Sequence, residues 1–218
     1  MASGDLCKLA IRARSPKWYK LRVWDERYAE EGFAYGAEPN EFLVEVADRI
    51  PAGPVLCLAE GEGRNAVFLA ARGHAVLAVD RSAVGLAKAR GLAAQRAVTV
   101  ETRVADLATF ELEVGRYAGI VSIWAHVPPD VRRVVHQRCV AALAPGGVMI
   151  LEAYTPAQVG QGTGGPPDPA LCMSANDLRE ELAGLDFEIL VERERRVSEG
   201  KYHQGGSAVV QMVARKPN

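Results

Sequence analysis

The stretch from Val55 to Asp80 constrains the fold more than any other part of the chain. It reads Val55-Leu-Cys-Leu-Ala59, a loop Glu60-Gly-Glu-Gly-Arg-Asn65, then Ala66-Val-Phe-Leu-Ala-Ala71 and, past Gly73, Ala75-Val-Leu-Ala-Val79 and Asp80. A short apolar run without alternation is what a strand covered on both faces requires, and Gly73 is a natural stop for the helix between two such strands. Strand, glycine loop, helix, strand and terminal acid, in that order, form the nucleotide-binding half of a doubly wound sheet. Gly61 and Gly63 remove side chains where a ligand must approach the backbone. Asp80 follows Gly61 by 19 residues, at a strand end where a carboxylate can accept two hydrogen bonds from ribose hydroxyls. Order and spacing together predict a nucleoside-cofactor site.

The rest of the chain extends this pattern. Asn40 is placed to cap a helix carrying Phe42, Leu43, Val46 and Ala47, which Pro51-Ala-Gly-Pro54 ends. Ser82 caps a second helix reaching about residue 94. Residues 98–104 read as a third strand, followed by the turn Ala105-Asp106-Leu107, and 119–124 as a fourth. The helix after Asp130 sets Val131, Val134, Val135, Cys139 and Ala142 on one stripe, with Arg132 and Arg133 on a solvated face. Pro145-Gly146-Gly147 leads into a fifth strand, 148–151. After a helix near 175–183, the extended runs 187–197 and 207–215 pair as a hairpin. The expected fold is therefore α/β: a Rossmann-like doubly wound seven-stranded sheet, mostly parallel, with an antiparallel C-terminal hairpin. The Gly- and Pro-rich segment 160–169 reads as a mobile loop.

Composition narrows the partners. Lys+Arg total 26 against 27 Asp+Glu, a net charge of −1 over 218 residues, which supplies no basic field for nucleic acid. No apolar stretch reaches the roughly 18–20 residues needed to cross a bilayer. Cys7, Cys57, Cys139 and Cys172 stand far apart without a Cys-x-x-Cys pair, which predicts reduced thiols in a cytoplasmic protein and no metal site. Residues 1–22 carry Lys8, Arg12, Arg14, Lys17, Lys20 and Arg22 against Asp5 alone. Lacking a continuous apolar region, they do not form a secretory signal. They read as a basic extension, or an organelle transit segment, ahead of a single domain over 23–218.

Gly61-Glu-Gly-Arg-Asn-Ala66 formally fits the dinucleotide fingerprint, which would make the chain an NAD(P)-dependent oxidoreductase. The acids oppose that reading. Glu60 and Glu62 flank the first glycine, where a pyrophosphate would lie, and like charges about 4 Å apart repel by about 4 kcal/mol at an effective dielectric of about 20. A sulfonium and an ammonium suit those acids better, which points to S-adenosylmethionine (SAM). Residues 55–65, Ala78-Val-Asp80, Ala105-Asp106-Leu107 and Leu143-Ala-Pro-Gly-Gly147 resemble the successive motifs of class I SAM-dependent methyltransferases, a likeness covering roughly residues 24–215. Trp24-Asp-Glu-Arg-Tyr28 and Tyr35-Gly-Ala-Glu-Pro-Asn40 are similar to segments of the small-molecule branch that includes tellurite-resistance and thiopurine-type enzymes. The resemblance implies that Asp80, with Arg81 beside it, holds the ribose and that Asp106 and Leu107 meet the adenine. It places Glu60, Gly61, Gly63 and Asn65 under the methionine part, with Trp24, Tyr28 and Trp124 completing the cofactor set. The chain departs from the family pattern at Cys57, where an acid is common, at Ala59, where glycine is usual, and at Asn65, in place of a third glycine. Glu60 is expected to stand in for the missing acid.

Methyl transfer from a sulfonium is an in-line displacement in which orientation alone supplies about 7–11 kcal/mol of barrier lowering. A soft nucleophile needs no base, whereas a hydroxyl or ammonium acceptor must lose a proton. Candidates at strand ends are His126 as that base, Glu152 and Tyr154 as substrate-orienting groups, and His203, next to Tyr202 in the closing hairpin. Trp24, Tyr28 and Tyr35 are expected to form an aromatic lid. The Asn/Asp-Pro-Pro-aromatic motif of many nucleic-acid and protein amide methylases is absent, and its region reads His126-Val-Pro-Pro-Asp130. These features favour a small-molecule acceptor, of thiol, selenium or tellurium type, with neither nucleic acid nor membrane as partner. A non-catalytic SAM-binding module is the remaining alternative.

Overall fold

The computed structural model describes residues 21–218. The expected basic extension lies, up to residue 20, outside the described residues, as does Cys7. Helix α1 (Leu21–Tyr28) leads to α2 (Glu41–Val46), whose first turn is capped by Asn40 accepting from the Leu43 N–H at 2.9 Å. Strand β1 (Pro54–Leu58), α3 (Arg64–Ala71), β2 (Ala75–Asp80), α4 (Ala83–Gln95), β3 (Glu101–Val104), β4 (Tyr117–Ile123), α5 (Pro129–Ala142) and β5 (Leu143–Tyr154) then alternate. Helix α6 (Ala175–Glu181) precedes the hairpin β6 (Asp186–Glu199) and β7 (His203–Arg215). Ser82 caps α4 as expected, accepting from the Gly85 N–H at 3.0 Å.

The sheet has the order β3-β2-β1-β4-β5-β7-β6, with β7 antiparallel to both β5 and β6 and the remaining pairs parallel. Alternate residues of β1 feed two cores: Val55 and Cys57 face α2, α3 and α4, while Leu56 and Leu58 face α5 and α6. That two-sided burial is why β1, β2 and β4 read as continuous apolar runs. No helix among the described residues is long and apolar enough to cross a membrane.

Several expectations need correction. Edge strand β3 covers only 101–104 and is largely exposed, because it pairs on one side alone and gains little from extending. Val134 is exposed rather than part of the α5 stripe. Arg132, expected on the solvated face, is buried and forked onto Glu181 (2.9 Å and 2.7 Å), which also meets His136 Nδ1 at 2.7 Å. Arg133 is the exposed member of the pair. Segment 160–169 is tied at its centre: Thr163 donates to the Gly206 carbonyl at 2.6 Å and accepts from Gln158 Nε2 at 2.8 Å. The hairpin is longer than its apolar pattern, so that Glu199 and His203 face one another as its last pair.

Candidate active site

A cavity of about 700 Å³ opens at the carboxyl ends of the parallel strands, where open α/β sheets place their ligands. Its floor comes from Ala59 and Glu60 after β1, Asp80 and Arg81 at β2, and Asp106 and Leu107 after β3; Trp124 and His126 follow β4. Helix α1 and the Tyr35 segment cover it, together with residues 160–167 and 201–203.

On the floor, Asp80 accepts the Gly61 N–H at 2.9 Å through Oδ2 and the Ser82 N–H at 2.8 Å through Oδ1. A carboxylate has about four lone-pair sites, so two remain for a ligand's hydroxyls. Burial raises the Asp80 pKa, opposed by these backbone bonds. Arg81 reaches Asp106 at 3.3 Å. Glu60 Oε1 accepts from the first turn of α3, from Asn65 N–H at 2.9 Å and Ala66 N–H at 2.8 Å. Burial pushes its carboxyl up to about 7, a group that a nearby cation would hold ionised. Its carboxylate also lies beside the Cys57 thiol, close to the strand position where the family's acid is usual.

The other acid of the loop is used differently. Glu62 accepts from Lys88 Nζ at 2.9 Å and from the Ala34 N–H at 2.7 Å, which anchors the covering segment. The loop therefore does not present two unpaired acids. The glycines also have a different cause from the one expected. Both are left-handed, with φ 60° at Gly61 and 90° at Gly63, and neither is on the cavity wall. A Cβ at Gly61 would meet the Tyr28 hydroxyl, and one at Gly63 the Ala89 methyl. Turn geometry and packing against α1 and α4 thus demand glycine.

The opposite half is walled by rings. Trp124 stacks on Tyr154 with centroids 4.4 Å apart, and His203 sits 5.1 Å from Trp124 and 4.6 Å from Tyr35. On the covering helix α1, Trp24 stacks on Tyr28 at 5.9 Å over the glycine loop, and Arg27 donates to the Tyr35 hydroxyl at 2.7 Å. Gly164 passes so close that a Cβ there would lie 2.7 Å from the Tyr154 oxygen and 2.9 Å from His203 Cδ2.

Three sequence candidates have their polar groups engaged by the protein or lie off the cavity. His126 is on the wall, but its Nδ1 faces the Leu171 carbonyl at 3.0 Å and its Nε2 accepts from the Tyr154 N–H at 3.4 Å. With both nitrogens engaged and burial lowering its pKa to about 4, it has no lone pair for a proton. Glu152 is fully buried off the cavity, held by Asn40 Nδ2 at 2.6 Å, Arg195 Nε at 2.8 Å and Gln211 Nε2 at 2.7 Å. Tyr154 is fully buried behind Trp124. His203 alone of the four lines the cavity with a ring nitrogen uncommitted: its buried Nδ1 has no hydrogen-bond partner and faces Glu199, which is off the cavity.

Residues 55–147, which run from β1 into β5, match the family model described as a methyltransferase domain. Those residues form a methyltransferase domain. A curated 2-heptyl-1-hydroxyquinolin-4(1H)-one methyltransferase of Mycobacteroides abscessus is 29% identical over 153 residues, covering 69% of this chain; the match spans only 65% of that relative's length. Among solved structures, one from work on converting a disulfide bond into a thioacetal group during echinomycin biosynthesis aligns with TM-score 0.71 and 23% identity, over 90% of this chain and 91% of the other. TehB from Haemophilus influenzae aligns at 0.67 and 18%, over 89% and 66%. The N-methyltransferase NodS from Bradyrhizobium japonicum, in complex with S-adenosyl-L-homocysteine, aligns at 0.64 and 15%, over 91% and 98%. At these identities the structures speak for the fold.

The methyltransferase match sets aside the oxidoreductase reading, and NodS was solved with S-adenosyl-L-homocysteine. Asp80 and Glu60 fit the ribose hydroxyls and ammonium of SAM by the lone pairs and charge just described. Sequence reasoning missed Lys88, Gln158 and Glu199 around this domain's cavity. Lys88 and Gln158 carried no pattern to mark them, and Glu199 was read as part of a turn.

Proposed function

We propose that the protein transfers the methyl group of SAM to a flat, small-molecule acceptor whose reacting atom is a soft nucleophile, a thiol, selenium or tellurium centre. The observation that carries this reading is the ring-walled half of the cavity, in which His126 has no lone pair to take a proton. Bound SAM supplies an activated methyl on a sulfonium. The protein's part is then to align the acceptor's lone pair and keep water out, which aromatic faces do well for polarisable atoms. Asp80 holds the ribose, Glu60 the ammonium, Asp106 and Leu107 the adenine side, and Trp24 and Tyr28 cover the cofactor. A second reading, a hydroxylated heteroaromatic acceptor like the one in the mycobacterial relative's name, is favoured by His203 on the same wall.

The test is transfer of radiolabelled methyl from SAM to a panel of aromatic thiols, selenols, tellurite and hydroxyquinolones, with pH–rate profiles for wild type, His126→Ala and His203→Ala. The soft-nucleophile reading expects rates that follow the acceptor's own ionisation and change only a few fold in His203→Ala. A loss of about 10²-fold or more in that variant, the size expected for a missing base, selects the hydroxylated acceptor. SAM binding without transfer to any member would make the protein a binding module.

A further inference from the structure

Glu199 lies behind the ring wall, buried at the end of β6 and off the cavity. Its carboxylate accepts from Arg64 Nη2 at 2.5 Å, Trp124 Nε1 at 2.7 Å and Asn40 Nδ2 at 2.8 Å. These donors come from α3, from the end of β4 and from the cap of α2, so one side chain joins three elements around the cavity. Across the hairpin, Glu199 Oε2 lies 3.9 Å from His203 Nδ1, the buried nitrogen that has no hydrogen-bond partner.

Two features argue that this carboxylate does more than neutralise Arg64. Trp124 has φ 58°, a left-handed backbone that a bulky residue rarely adopts. Such strain persists only where the surroundings over-determine it, and it gathers at functional sites. Here the indole is fixed by its N–H on Glu199 and by its stack on Tyr154. Secondly, a carboxylate only accepts, so the imidazole nitrogen facing it is the one that carries the proton. Burial lowers the His203 pKa although Glu199 opposes it, and so favours the neutral ring, with a single N–H. The nitrogen edge left for the cavity then has a lone pair.

We propose that Glu199 is the positioning residue of the acceptor half: it fixes the Trp124 ring and holds His203 as the Nδ1–H tautomer, so that Nε2 accepts a hydrogen bond from the acceptor. This rests on reading the cavity as a methyl-transfer site. An S–H or O–H of the acceptor would donate to Nε2 and so turn its nucleophilic lone pair toward the methyl group.

Histidine-¹⁵N NMR of the full chain tests it without any acceptor, with His203 assigned by the signals lost in His203→Gln. Wild type is expected to show a protonated-type Nδ1 and a pyridine-type Nε2. In Glu199→Gln the amide can donate to Nδ1, and the tautomer is expected to shift toward Nε2–H. With 2-heptyl-1-hydroxyquinolin-4(1H)-one and thiophenol as probe acceptors, Glu199→Gln should lower kcat on whichever reacts by at least the factor that His203→Ala does, while the SAM Kd by calorimetry stays within threefold. An Nε2–H tautomer in wild type overturns the proposal, even if Glu199→Gln does not fold. So does a folded Glu199→Gln with unchanged tautomer. Failure of wild type to bind SAM would instead sink the methyl-transfer reading and leave the tautomer result standing.

Discussion

Replacing Asp80 with alanine tests the cofactor half, and its effect splits into two measurable parts. In the folded protein the carboxylate satisfies two buried backbone N–H groups, those of Gly61 and Ser82. A buried donor left without a partner costs about 1–3 kcal/mol. Because the cavity admits water that can serve one of them, the expected loss of folding stability is about 2 kcal/mol. The second part is binding. Hydrogen bonds to a charged group are worth about 1.5–3 kcal/mol, so the SAM Kd should rise by about 10- to 150-fold. Urea denaturation without ligand reads the first part and calorimetric titration with SAM the second. Asp80→Asn is a close comparison, since it preserves volume but sets an NH₂ against one of the two backbone donors; it should lose nearly as much of both. A folded Asp80→Ala protein whose SAM Kd stays within twofold of wild type would refute the assignment of the ribose to this residue.

Other consequences follow from the buried charges and the glycine segment. Arg132→Ala strands Glu181 with only part of its partner set and should cost about 3–5 kcal/mol in urea denaturation. Burial opposes ionisation of Glu181, but His136 and Arg132 outweigh it and hold the carboxyl down to about 2. Its contribution is therefore complete above the unfolded value of about 4.5 and is lost as pH falls from there toward 2; acid unfolding of wild type should steepen in that window, and less so in Arg132→Ala. Glu60 behaves oppositely: with its carboxyl raised to about 7, binding of cationic SAM should release a proton near neutral pH. Titrations in buffers of different ionisation enthalpy should detect that release and find it missing in Glu60→Gln. Gly164→Ala combines φ 129° with contacts of 2.7 Å to Tyr154 and 2.9 Å to His203, so acceptor turnover should fall at least tenfold while SAM affinity is kept.

Much of the scaffold was legible because it obeys local rules. Apolar runs at 55–59 and 75–79 predict buried parallel strands, Asn40 and Ser82 announce helix starts, and strand–loop–helix–strand–acid predicts the floor around Asp80. The acceptor half was far less legible. His126 and His203 look alike as isolated histidines. Only the packed structure shows the Leu171 carbonyl and the Tyr154 N–H filling both nitrogens of one, and a carboxylate behind the other.

By itself, then, the amino-acid order determined the doubly wound sheet, the antiparallel closing hairpin and the position of the glycine loop and its acid, since each follows from periodicity, caps and turns within about 25 residues of chain. Tertiary structure alone decided what the charged residues do. Arg132 became a buried partner of Glu181, Glu62 an anchor for Lys88, Glu152 a core acid and Glu199 the junction of α2, α3, β4 and the hairpin. The Asn40 and Arg64 donors on Glu199 come from residues 159 and 135 positions away. A charge is stabilised by whatever lies within a few ångströms of it in space, and no local pattern in the chain encodes that neighbour.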